Sequence, residues 1–190
     1  MNQQNVNSMN RRLALVLMGL VGQVSFCNTV TAKEGAHVHG LMRMNVAVQA
    51  QTLTVQIEAP LDSLLSFEHA PRTSAQRNAA DALVRQLNED KSLVRPTAAA
   101  LCSLTKTTVD ALALKPVETA RAAKKDEEGH ADIDIAYEFT CSQADKLDSL
   151  TLGLFDAFKR LQKIEAQVVT AAGQSKQTPT RAQPVLKLKR

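Results

Sequence analysis

Apolar and polar residues alternate with a period of two over several stretches of this chain. Leu53, Val55 and Ile57 alternate with Thr54, Gln56 and Glu58, which predicts a half-buried strand. Leu41 to Ala50 alternates more loosely, with Leu41, Met44, Val46 and Val48 apolar. Ala50-Gln51-Thr52 can join the two as a hairpin, although no Asn-Gly marks the turn. Pro60 stops the second strand. Ile133, Ile135, Tyr137 and Phe139 alternate strictly with Asp132, Asp134, Ala136 and Glu138 and give the clearest strand of the chain. One apolar face per strand points to an antiparallel sheet with one wet side.

After Pro71 the spacing changes. Thr73 or Ser74 can cap a helix, and Ala75, Ala79, Leu83, Val84 and Leu87 recur at helical spacing to about Asn88. Cys102, Leu104 and the Thr105–Thr108 run read as a strand, continued from Val109 toward Val117. Ala120 to Gly129 carries both signs of charge and reads as a solvated loop. Residues 144–170 have two readings. Leu147, Leu150, Leu154, Phe158, Leu161, Ile164 and Val168 fit one face of a long helix, while Leu150–Leu152 and Ile164–Thr170 also fit strand pieces around a short helix. Residues 174–183 read as polar linker, and Pro184 to Leu188 as a last edge strand. The expected fold class is a single α+β domain: an antiparallel sheet, one main helix and one disulfide.

The first segment reads as an address. Residues 1–12 are polar and end in Arg11-Arg12, Leu13 to Val24 are almost wholly apolar, and Val30-Thr31-Ala32 offers small residues at a cut. That order predicts a secretory signal peptide over 1–32, removed after Ala32, and a periplasmic protein. The apolar run falls short of the ~20 residues that span a bilayer, so no stable membrane insertion is expected. A lipoprotein signal at Cys27 is disfavoured by bulky Phe26. The domain proper then covers 33–173, and 174–190 forms the polar linker with its basic C-terminal edge strand or tail.

The net charge of +4 misleads if read whole. All 19 acids but only 16 of the 23 bases fall in 33–173, so a slightly acidic body carries a basic tail. With no Trp and one Tyr, the chain lacks a stacking platform, and no nucleic-acid partner is expected.

Cleavage would leave Cys102 and Cys141, an even pair in an oxidising compartment, which predicts a disulfide; two buried thiols are the alternative. Four histidines remain as candidate chemistry. His37-Val38-His39 puts two imidazoles on one face of an extended segment, His69 follows Glu68 just before the helix, and His130 opens the strong strand. Each is also an ordinary solvated histidine if the fold keeps them apart. No H-E-x-x-H, G-x-S-x-G or phosphate loop is present, so no enzyme is expected.

The ordered set Gly35-Ala36-His37-Val38-His39-Gly40, Phe67-Glu68-His69-Ala70-Pro71, Cys102, and His130 leading to Cys141 resembles the ZrgA-like family of zinc-regulated periplasmic proteins. The resemblance covers residue 34 to about 188. It implies zinc (Zn2+) as the ion bound, with His37, His39, His69 and His130 as candidate ligands and Glu68 as a further one. It implies a role in zinc acquisition or buffering beside a zinc ABC importer or its periplasmic binding protein. It also implies the Cys102–Cys141 disulfide, and strand–short helix–strand over 150–172 in place of the long helix. Many members carry a His/Asp-rich loop between the two cysteines; here Arg121 to Gly129 holds no histidine, which leaves at most one compact site. The rival readings are a non-catalytic envelope interaction module with incidental histidines, and a small metal-dependent hydrolase with Glu68 as base. Copper is the competing metal.

Overall fold

The computed structural model describes residues 39–115 and 132–189. The expected signal peptide over 1–32, His37, the charged connection 120–129 and His130 lie outside the described residues. Nine strands are described: β1 (Leu41–Gln49), β2 (Thr52–Pro60), β3 (Val94–Pro96), β4 (Cys102–Asp110), β5 (Asp132–Cys141), β6 (Ser149–Leu152), β7 (Lys163–Thr170), β8 (Gly173–Gln177) and β9 (Val185–Lys187). Three α-helices accompany them: α1 (Leu61–Leu64), α2 (Ser74–Glu89) and α3 (Leu154–Ala157).

Six strands make the main sheet in the order β4-β5-β2-β1-β7-β8, and three make a small one, β3-β6-β9. The predicted hairpin forms, with Gln49 opposite Thr52 and Ala50 at φ +52 in the connection. All pairings are antiparallel except β1 with β7, which run parallel from Leu41 opposite Lys163. A parallel pair aligns the starts of its two strands. The starts of β1, β7 and β5 and the end of β2 therefore gather at one end of the sheet, where Pro60 pairs with Asp132.

One face of the main sheet is apolar. Met42, Met44 and Val46, then Leu53, Val55 and Ile57, then Ile133, Ile135, Tyr137 and Phe139, then Ile164 and Val168 are all buried in one cluster. Leu83 and Leu87 of α2, Leu150 and Leu152 of the small sheet, and Leu154 and Phe155 of α3 join it. The α+β expectation holds, with the small sheet and α2 lying over one face.

The helix starts where capping chemistry places it. The Thr73 side chain accepts from the Gln76 N–H and the Gln76 side chain accepts from the Thr73 N–H, a reciprocal box. Its buried line is Ala80, Leu83 and Leu87; Ala75 and Ala79, expected inward, are exposed. Alanine carries too little surface to set a helix's rotation when a leucine line competes with it. The Tyr137 hydroxyl, buried under α2, donates to the Leu87 carbonyl at 2.9 Å and satisfies a group in the helix's last turn. Burial, with Asp90 adding to it, pushes the Tyr137 hydroxyl's pKa upward.

Three further expectations are revised. The strand expected to run on toward Val117 ends at Asp110, and a single 3-10 turn follows at Leu112–Leu114, its first N–H taken by the Asp110 carboxylate at 3.2 Å. The stretch 174–183 is not linker, because Gly173–Gln177 forms β8 on the edge of the main sheet. The sheet also contains the one parallel pairing described above. Over 149–170 the strand–short helix–strand reading holds. Gly153 is the N-cap of that helix, and it has to be glycine because a Cβ there would stand 2.2 Å from the Ser92 carbonyl oxygen. Cys102 and Cys141 sit opposite each other on β4 and β5 and are bonded.

The other face of the main sheet is wet and charged. Asp110, Asp134, Glu58, Arg43 and Glu165 occupy neighbouring register positions across five strands. Arg43 reaches Glu58 at 2.8 Å. Desolvation, then Glu58 and Asp110, holds the Asp134 carboxyl above its ordinary value of 3.8.

Two outcomes are expected. Tyr137→Phe leaves the Leu87 carbonyl unpaired and lowers the unfolding free energy by about 1–2 kcal/mol in urea titrations. Asp134→Asn raises stability at pH 7. With the folded pKa above the unfolded one, this position stabilises fully at acid pH and loses that contribution as pH rises through the folded value. The variant's advantage over the native chain therefore fades as pH falls toward 3, measured by denaturant titration across pH.

Candidate metal centre

His39 stands two residues before β1, in a turn closed by Gly40 at φ +74. Only glycine fits there, since a Cβ would lie 2.8 Å from the Arg160 carbonyl oxygen and 2.9 Å from the Gln162 Cγ. The turn sets the imidazole at the sheet end where β2 finishes. Beyond Pro60 the chain enters α1, and its second residue, Asp62, is 3% exposed. The loop from α1 to α2 then brings Glu68 back over the same place.

The three side chains meet. His39 Nδ1 lies 2.6 Å from Asp62 Oδ2 and 3.2 Å from Glu68 Oε1. One ligand atom from each of the three falls within 4.8 Å of the others. The bond to Asp62, followed by the charges of Asp62 and Glu68, holds the His39 pKa above its ordinary 6.5. In the protonated ring, Nδ1–H donates to the Asp62 carboxylate, which a buried carboxylate needs.

An imidazole and two carboxylates are donors that zinc accepts. The edges of a tetrahedral zinc site are about 3.4 Å, given bond lengths near 2.1 Å. The His39–Glu68 separation already fits such an edge. The shorter His39–Asp62 distance is that of a hydrogen bond, and the proton between those two atoms has to leave before a cation takes both. Two carboxylates also balance the charge of a divalent ion.

The residues expected from sequence are distributed unevenly. His39 and Glu68 come together. His69 is outside the group: its Nδ1 bonds the Ala70 carbonyl at 2.9 Å and its ring stacks on Phe67 with centroids 5.5 Å apart. His37 and His130 lie outside the described residues. Asp62 was not foreseen. Its signal was available as a lone acid in the apolar run Pro60-Leu61-Asp62-Ser63-Leu64-Leu65, where a charge is retained only with a partner.

Asp62→Asn removes the strongest influence on the imidazole. The His39 pKa of the metal-free protein, followed by NMR of the ring carbons, is expected to start above 6.5 and drop toward it in the variant.

Residues 36–188 match the ZrgA family, described as zinc uptake proteins. No curated protein matches the chain. The match spans nearly the whole described chain, and the chain belongs to the ZrgA family, with a zinc-related role.

Proposed function

We propose that this member of the ZrgA family is a periplasmic zinc-binding protein that assists zinc acquisition or buffering. Zinc is its cargo, held at a single site built on His39, Asp62 and Glu68. The observation that carries the reading is that group of one imidazole and two carboxylates, in a chain of a zinc uptake family.

The remaining histidines are candidates for the fourth position. His37 is two residues from His39. His130 lies two residues before Asp132 in sequence, and Asp132 pairs with Pro60 at the head of α1. His69 shares its loop with Glu68. With Nδ1 bonded to a carbonyl, its Nε2 is the nitrogen suited to a metal. The partner that receives the zinc would be a zinc ABC importer or its periplasmic binding protein.

Each ligand has a separate duty. The Asp62 carboxylate sits inside the fold and is the fixed point of the site. Glu68 is exposed and lies on a loop, so it can close on the ion and open again for release. His39 couples the site to pH, because its proton competes with the metal.

The test is zinc stoichiometry and affinity on the mature, disulfide-intact protein, beside His39→Ala and Asp62→Asn. The expected result is one zinc per chain, with affinity reduced at least tenfold in either variant and falling as pH drops below 7. No zinc tighter than micromolar, or an affinity indifferent to His39, would sink the reading and favour an envelope interaction module.

A further inference from the structure

The loop between α3 and β7 touches both halves of the candidate centre. The N–H groups of Gln162 and Lys163 donate to the Gly40 carbonyl at 2.8 and 3.1 Å, which fixes the residue after His39. The Arg160 Nε donates to the Asp62 carbonyl at 2.5 Å. His39 and Asp62 are 23 residues apart, and Asp62 and Arg160 are 98 apart. A single loop, remote in sequence from both, therefore ties the two turns together.

The loop is itself anchored. The Arg181 guanidinium donates to the carbonyls of Phe155, Phe158, Lys159 and Leu161, the last three at 3.2, 3.0 and 2.8 Å. Those carbonyls end α3 and line the loop. The Asp62 turn is anchored by the buried Leu61 side chain but has few polar restraints of its own. α1 is four residues long, and Pro60 at its N-cap makes no side-chain capping bond. A planar guanidinium reaching in from outside supplies a donor with fixed geometry.

We propose that Arg160 is a positioning residue for the cation site, holding the Asp62 turn within reach of His39, with Arg181 bracing the loop it reaches from. This rests on the zinc reading of the site given above. The sign of its effect separates it from a role through charge. A guanidinium beside a cation site repels the ion, so removing the charge alone would tighten zinc binding. Removing a brace loosens it. The two effects oppose each other, and one variant decides between them.

The experiment uses the mature, disulfide-intact chain and measures zinc affinity by chelator competition for the native protein, Arg160→Gln, Arg160→Lys and Arg181→Gln. It also records the 15N shift of His39 Nδ1 in the metal-free proteins, which reports the hydrogen bond to Asp62, and a urea midpoint to monitor folding. Arg160→Gln is expected to weaken zinc binding about tenfold, as loss of an outer-sphere partner does, with the Nδ1 shift moving off its native value. Arg160→Lys restores most of both, since it keeps a donor and the charge. Arg181→Gln moves both quantities in the same direction by a smaller factor, and serves as the second reading if Arg160→Gln folds poorly. Zinc binding that is unchanged or tighter in Arg160→Gln overturns the proposal. If the native protein binds no zinc through His39, the zinc reading falls separately. The Nδ1 shift then decides the matter: moved in both Arg160→Gln and Arg181→Gln, which leaves the Arg160 charge in place, it upholds the positioning role; unmoved in either, it overturns it.

Discussion

The parallel pairing of β1 with β7 is the constraint on which the arrangement of this molecule depends. Two parallel neighbours cannot be joined by a tight turn, so the chain must travel between them through other elements. Here it passes through β2, α1, α2, β3, β4, β5, β6 and α3 before returning. That excursion supplies the cover for the apolar face of the sheet. It also brings the approach to β7 beside the approach to β1, so Arg160–Gln162 abuts Gly40. With β2 ending and β5 beginning at the same margin, four chain segments converge there. The candidate metal centre lies at that convergence because of the topology: His39 comes from the approach to β1, and Asp62 and Glu68 from the chain that leaves β2.

Much of the fold was legible in the residues. Period-two alternation marked β1, β2 and β5, because each buries one face and wets the other. Thr73, one of the two cap residues read there, marked the start of α2. Other features carried no local signal. β8 is Gly-Gln-Ser-Lys-Gln, an edge strand that buries no apolar side chain, so its composition matches a linker. The long-helix spacing over 147–168 was an accident of two short apolar strands flanking a helical turn. What decided against it was resemblance, since the periodicity itself favours the helix. The parallel pair was invisible for another reason: pairing partners more than a hundred residues apart leave no mark in a local pattern.

The site was legible in part. The H-x-H segment and Glu68 pointed to the right place, and His39 and Glu68 do meet. The reading favoured histidines because they are rare and chemically distinctive. It passed over Asp62, since one acid among many is unremarkable until its burial is known. A carboxylate almost shielded from water changes the character of the centre. Four imidazoles would leave a bound divalent cation with its full charge, in a site open to any borderline metal. One imidazole with two carboxylates neutralises it, and makes the proton on His39 the competitor for the same lone pair.

The stapled hairpin of β4 and β5 has one more consequence. The disulfide joins the ends of the two strands farthest from their connection. With register fixed from that far end, the connecting residues are released from any duty to specify the pairing. The entropy of closing such a loop grows only with the logarithm of its length, about 0.6 kcal/mol for each doubling. A change in the length of the connection beyond Leu114 therefore carries a small thermodynamic penalty, and the strand ends that flank the connection, Asp110 and Asp132, lie at the margin of the sheet where the ligands gather. The disulfide thus separates a pairing that must stay fixed from a connection whose length does not decide it.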